Sequence, residues 1–307
     1  MFKNKEGKVR SGWKIAAVTA VMFSLVMIFS IIIGIAVLFI SISKGDIDLA
    51  NFNMKSYQEI LGNWETVLMF IQEIFIILVP LITWRFIMKQ SLHKMGLISL
   101  QKGSKELITG LIVGILSITF VFITIVLLGH ASVTSWKPHF SADTLVYLIL
   151  FIMVGFAEEI YGRGFIMSVL RQTKSIPLIF IISSVIFAIM HSGNSGIGLI
   201  PYINLFLVGV LFAYMYMKSG NLWMCIGYHI TWNYFQGNIY GFPVSGTNTN
   251  GLLTTIYERN TILNGGDFGP EGGLIVTFVI LLGLFFVKIY YRNSSYYFLE
   301  KESAPNI

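Results

Sequence analysis

Three short clusters of polar residues interrupt an otherwise apolar chain, and their side chains are the kind that proton chemistry needs. The first is Glu158-Glu159-Ile160-Tyr161-Gly162-Arg163. On a helix, Glu159 and Arg163 share a face and can pair, with the glutamate on the favourable N-terminal side. Glu158 points about 100° away from Glu159, so it stays outside that pair and can face a cavity. The second cluster is Phe187-Ala188-Ile189-Met190-His191, in which Phe187 and His191 share a face. The third is His229-Ile230-Thr231-Trp232-Asn233, with His229 and Asn233 on one face. An ionisable group inside a membrane costs about 3 kcal/mol or more, so each of these residues needs a reason.

Each cluster also has a plainer reading. The span before the first cluster can end at Ala157, leaving Glu158, Glu159 and Arg163 in cytoplasmic water. Against this, Phe165, Ile166, Met167, Val169 and Leu170 favour a helix that continues to about Gln172. The residues alone leave both readings open. His191 can cap a helix end at the interface, and His229 with Asn233 can supply an interhelical hydrogen bond. Taken together, the three clusters are sufficient for peptide hydrolysis. A carboxylate can act as general base to water, and one histidine can hold that water or shuttle its proton. A second histidine and an asparagine can donate hydrogen bonds to the oxyanion of the tetrahedral intermediate.

The elements that must position these groups are membrane helices. Of 307 residues, 55% are hydrophobic and only 12% charged, and mean hydropathy is +0.75. A soluble chain carries roughly a quarter charged residues. Runs of about 20 apolar residues mark spans: Ile15–Ile42, Thr66–Ile87 with Pro80 inside, Leu107–Leu128, one from Thr144, Ile176–His191, Ile197–Met217, Leu222–Phe235 and Leu274–Tyr291. The first is too long for a signal-peptide core and reads as an anchor. The expected fold is all-α, a polytopic transmembrane bundle of about eight spans. Residues 1–143 hold helices 1–3 and their loops, 144–236 the core helices 4–7, and 237–307 an irregular external loop, helix 8 and a cytoplasmic tail.

The net charge of +6 is read as loop charge that orients the chain, with no nucleic-acid face. Lys3, Lys5, Lys8, Arg10 and Lys14 against Glu6, then Lys89–Lys105, Arg171, Lys174, Lys218, Lys288, Arg292 and Lys301 alternate with cation-poor loops. That alternation places both termini in the cytoplasm. Lys89–Lys105 reads as a basic interfacial stretch. Compact size and short tails point to a bacterial plasma membrane. Cys225 is the only cysteine, which excludes an internal disulfide and a thiolate metal cluster within one chain.

The strings Glu158-Glu159-x-x-x-Arg163-Gly164, Phe187-x-x-x-His191 and His229-x-x-x-Asn233 resemble, in that order, the three motifs of the CPBP (CaaX protease and bacteriocin-processing, Abi) family. The resemblance runs from about Leu145 to Gly237 and includes Leu222-Trp223. It implies an eight-helix intramembrane endopeptidase similar to the type 2 CaaX prenyl proteases, acting on a membrane-embedded or lipidated peptide or protein. By it, Glu158 is similar to the water-activating glutamate and His191 is its partner. His229 and Asn233 resemble the oxyanion-stabilising pair, and Glu159 and Arg163 the supporting residues. Some members are described as metalloproteases, so a divalent metal such as zinc held by Glu158, His191 and His229 is the less favoured alternative. No His-Glu-x-x-His zinc motif is present.

Three other functions compete. Gly193-Asn194-Ser195-Gly196 resembles the nucleophile motif of rhomboid serine proteases, with His229 as base, though it also reads as a short turn. A non-catalytic peptide-binding or bacteriocin-immunity protein would keep the same polar groups. A proton-coupled transporter would show repeated halves, and none is found. Glu73 with Arg85 reads as packing or interfacial, His93, His130 and His139 as solvated, and Trp13 and Trp136 as interfacial anchors. One depth problem follows from the span boundaries. Glu158 falls near the inner end of span four and His191 near the outer end of span five. They share a water only if span four runs past Arg163.

Overall fold

In a computed structural model, residues 2–4, 7–48, 52–136, 138, 140–294 and 296–299 are described. Lys5, Glu6, His139 and Lys301 lie outside the described residues. The chain is a helical bundle: α1 Ser11–Lys44, a short α2 Met54–Gly62, α3 Glu65–Ile87, α4 Leu100–Leu127, α5 Ala142–Thr173, α6 Ile176–Met190, α7 Leu199–Ser219, α8 Trp223–Tyr234 and α9 Leu274–Tyr290. Each of the eight apolar runs forms a helix. Helix α2 was not foreseen from hydropathy. Among the described residues, five helices are long and apolar enough to cross a membrane. Their outward faces carry large apolar side chains, such as Phe39, Ile112 and Phe285, which fits a lipid surround and a membrane protein.

The all-α expectation needs one amendment. Two strands, β1 Ala131–Ser135 and β2 Thr254–Tyr257, pair antiparallel and tie the α4–α5 connection to the α8–α9 connection. The long Gly-rich loop is therefore not wholly irregular. It also holds two single-turn helices, Gly266–Phe268 and Pro270–Gly272. His130 next to β1 is only partly exposed, and its carbonyl accepts from Asn264 at 3.2 Å. His93 is exposed, as expected.

At the opposite end of the bundle, Arg171 was expected in solvated loop and is instead buried. Its guanidinium donates to the Lys94 carbonyl at 2.8 Å and to the Tyr216 hydroxyl at 3.1 Å. The Lys89–Lys105 stretch is correspondingly more than an interfacial strip. Met95 within it is fully buried, and Leu222 N–H donates to the Gly96 carbonyl.

The tightest helix pair in the core is α4 against α8, made by glycines that let backbones touch. A Cβ at Gly110 would lie 2.2 Å from the Met224 carbonyl oxygen, and one at Gly114 2.2 Å from Thr231 Oγ1. From the other side, a Cβ at Gly227 would lie 2.6 Å from the Leu107 carbonyl oxygen. Thr231 Oγ adds a bond to the Leu111 carbonyl at 2.9 Å. This seam fixes the height and rotation of α8, and with it His229 and Asn233.

Candidate active site

Helix α5 does not stop at Ala157. It widens into a π-turn over Ile160–Met167, in which every residue is buried, and continues to Thr173. Such wide turns recur at functional sites. Glu158 therefore sits mid-helix. It lies fifteen positions before Thr173, and His191 lies fifteen after Ile176, the first residue of α6. The two arms of one hairpin are equally long, so both side chains reach the same depth. The depth problem disappears for that reason.

Glu158 Oε2 is 3.9 Å from His191 Nε2 and 3.9 Å from His229 Nε2. These separations are too long for direct hydrogen bonds and suit a single bridging water. The other ring nitrogens are already engaged. His191 Nδ1 donates to the Phe187 carbonyl at 2.9 Å, the bond that their four-residue spacing allows. His229 Nδ1 donates to Glu159 Oε1 at 3.1 Å. Both Nε2 atoms are thus aimed at Glu158.

Glu159 and Arg163 form the expected pair, at 3.0 Å, and neither side chain is exposed. Arg163 also donates to the Gly209 carbonyl at 3.4 Å and lies over the Phe187 ring at 4.3 Å. The adjacent glutamates therefore differ in kind. Glu159 is locked between a guanidinium and an imidazole, whereas Glu158 Oε2 has no hydrogen-bond partner within the protein. Asn233 is buried and lines the same cavity as Glu158, His191 and His229.

That cavity has a volume of ≈ 400 Å³. One wall is a single face of α3, with Glu65, Met69, Gln72, Glu73 and Ile76. The facing wall is one face of α5, from Tyr147 to Glu158. Glu73 was read as packing or interfacial, with Arg85. The structure exposes Arg85 and leaves Glu73 4% exposed and lining the cavity. Gln72 donates to Glu73 Oε1 at 3.2 Å, and Glu73 Oε2 has no partner.

A second carboxylate escaped the sequence reading. Glu271, in the turn before α9, lines a smaller apolar pocket behind His191, His229 and Asn233. It accepts from Ser245 N–H at 2.6 Å and Ser245 Oγ at 3.0 Å. Burial pushes its carboxyl above the usual range, opposed by the Ser245 bonds, a Gln236 bond and the nearby His191. Ser195 also lines the main cavity. His229, proposed as its base in the rhomboid reading, has Nδ1 on Glu159 and Nε2 towards Glu158.

Among the described residues, no three His, Cys, Asp or Glu side chains are arranged to hold a metal ion. Glu158, His191 and His229 are spaced for a bridging water.

No curated protein and no solved structure matches the chain. A protein-family model does: residues 140–235 match the family described as type II CAAX prenyl endopeptidase Rce1-like. The matched segment contains Glu158, His191, His229 and Asn233, and over these residues the chain is similar to the Rce1-like family.

Proposed function

We propose that the protein is an intramembrane endopeptidase that hydrolyses a peptide bond of a membrane-associated peptide by means of a water activated at Glu158. The observation that carries this reading is the equal 3.9 Å approach of His191 Nε2 and His229 Nε2 to Glu158 Oε2 inside one cavity. A water bridging Glu158 and His191 gives a proton to the Glu158 carboxylate as its oxygen attacks the substrate carbonyl. The charge that develops on the carbonyl oxygen is met by the Asn233 amide and by His229. His229 Nδ1–H already faces a carboxylate, so Nε2 donates only when the ring is doubly protonated. Glu159 stabilises that form, and Arg163 holds Glu159 in place. Collapse of the intermediate breaks the C–N bond, and Glu158 returns its proton to the leaving amine.

The substrate lies in or on the bilayer, as the family implies, and orientation with both termini in the cytoplasm follows from the loop charges. The test is turnover of a fluorogenic peptide library by purified protein in detergent, with Glu158→Gln in parallel and bound metal measured on the same samples. Turnover lost in Glu158→Gln supports the reading. Turnover that survives the substitution overturns it. Stoichiometric metal required for activity would replace the water-only scheme with a metal-assisted one.

A further inference from the structure

The main cavity is acidic along its length. Its residues lie on two parallel helix faces that start at the end bearing β1 and β2. Glu65 opens the α3 face in the first turn and is exposed, and Glu73 lies two turns deeper, roughly 12 Å along the axis. On the α5 face, Tyr147 and Glu158 are roughly 17 Å apart. The cleft is therefore about five residues of extended peptide deep. Among the described residues lining it there is no lysine or arginine. Arg163, the cation on the same stretch of α5, is committed to Glu159.

Glu73 is the unexplained member. It is 4% exposed, its Oε2 lacks any hydrogen-bond partner, and it lines the same cavity as Glu158. No step of the hydrolysis uses it. A buried carboxylate oxygen without a partner is costly, and a cationic group arriving along an acid-lined cleft removes that cost. We propose that Glu73 is a specificity residue that pairs with a basic side chain of the substrate, one placed within a few residues of the scissile bond. This rests on the proteolytic reading of the cavity. Glu65 at the mouth draws the cation in, and low local dielectric makes the pairing at Glu73 strong.

The test uses pairs of fluorogenic peptides that differ at one position, Lys against Met, scanned across the positions flanking the scissile bond. These are similar in length and differ in charge. At one position the parent should favour Lys in kcat/KM by roughly ten- to a hundredfold, the worth of a desolvated charge-assisted hydrogen bond. Glu73→Gln should bring that ratio near one, and Glu73→Asp should retain a preference, with thermal melts confirming that both variants fold. A ratio near one at every position in the parent overturns the proposal. So does a ratio that persists in Glu73→Gln, including the case where both peptides slow equally. If no peptide is cleaved by any form, proteolysis itself fails, and labelled versions of the same pairs are titrated onto parent and Glu73→Gln by fluorescence anisotropy. Tighter binding of the Lys peptide that is lost in Glu73→Gln supports the cation site, and equal or undetectable binding overturns it.

Discussion

Removing the guanidinium at Arg163 should destabilise the fold more than almost any other single change in the bundle. Arg163 and Glu159 are both fully buried and 3.0 Å apart. Arg163→Met keeps a long apolar side chain against Phe187 and Phe212 but leaves Glu159 without its guanidinium partner. Breaking a buried pair from one side costs roughly 3–5 kcal/mol. The lower end applies here, about 3 kcal/mol, because His229 Nδ1 still donates to Glu159 Oε1 at 3.1 Å. Replacing both partners, as in Glu159→Gln with Arg163→Met, should recover most of that loss, since a neutral pair leaves no buried charge. The assay is equilibrium denaturation in mild detergent, with parent, two single variants and the double variant forming a cycle. A single-variant loss below about 1 kcal/mol, the range of a solvated pair, would refute the claim that Glu159 is held as a buried charge. A double variant as damaged as the sum of the singles would refute the coupling.

Other substitutions separate neighbouring claims. Ser195→Ala should keep turnover within about twofold, because His229 is engaged by Glu159 and Glu158; loss of activity in a peptide assay would bring the serine mechanism back. Gly110→Leu should cost at least ~1–3 kcal/mol and lower activity with it, since even a Cβ there meets the Met224 carbonyl at 2.2 Å and must push α8 away; parent-like melting would show that the seam does not set α8. Glu271 holds its proton more tightly folded than unfolded, because burial raises its carboxyl. The folded state then binds more protons, so stability falls as pH climbs above the ordinary value of 4.5 and levels off once Glu271 ionises in the fold. In Glu271→Gln that decline should be smaller, and an unchanged pH–stability profile would contradict the burial of its charge.

Hydropathy was enough to place the eight apolar helices, because lipid leaves a spanning segment no choice but to bond its own backbone. The spacing of Glu159 and Arg163, and of Phe187 and His191, was equally legible, since both contacts lie within one helix. Glu73 was missed although a signal existed: Glu65, Gln72 and Glu73 fall on one face of an otherwise apolar span, and polar residues aligned that way mark a cavity. Glu271 and Ser245 had no such signal. Their bond links two turns of a Gly-rich loop, and nothing periodic announces it. The two short strands were hidden for the same reason. The π-turn over Ile160–Met167 is a slip in hydrogen-bond register that no residue pattern in the segment announces. The conflict of depth between Glu158 and His191 was resolved by the continuation of α5 to Thr173.

The equal arms on either side of the 173–176 turn have a further consequence for life in membranes of different thickness. A bundle answers mismatch by tilting its helices. When α5 and α6 tilt together about their common turn, Glu158 and His191 rise or sink by the same amount, and the gap between them is conserved. His229 belongs to another helix, whose height is set by the glycine seam with α4. Bilayer thickness thus acts on how the Glu158–His191 pair meets His229, and leaves the pair itself untouched.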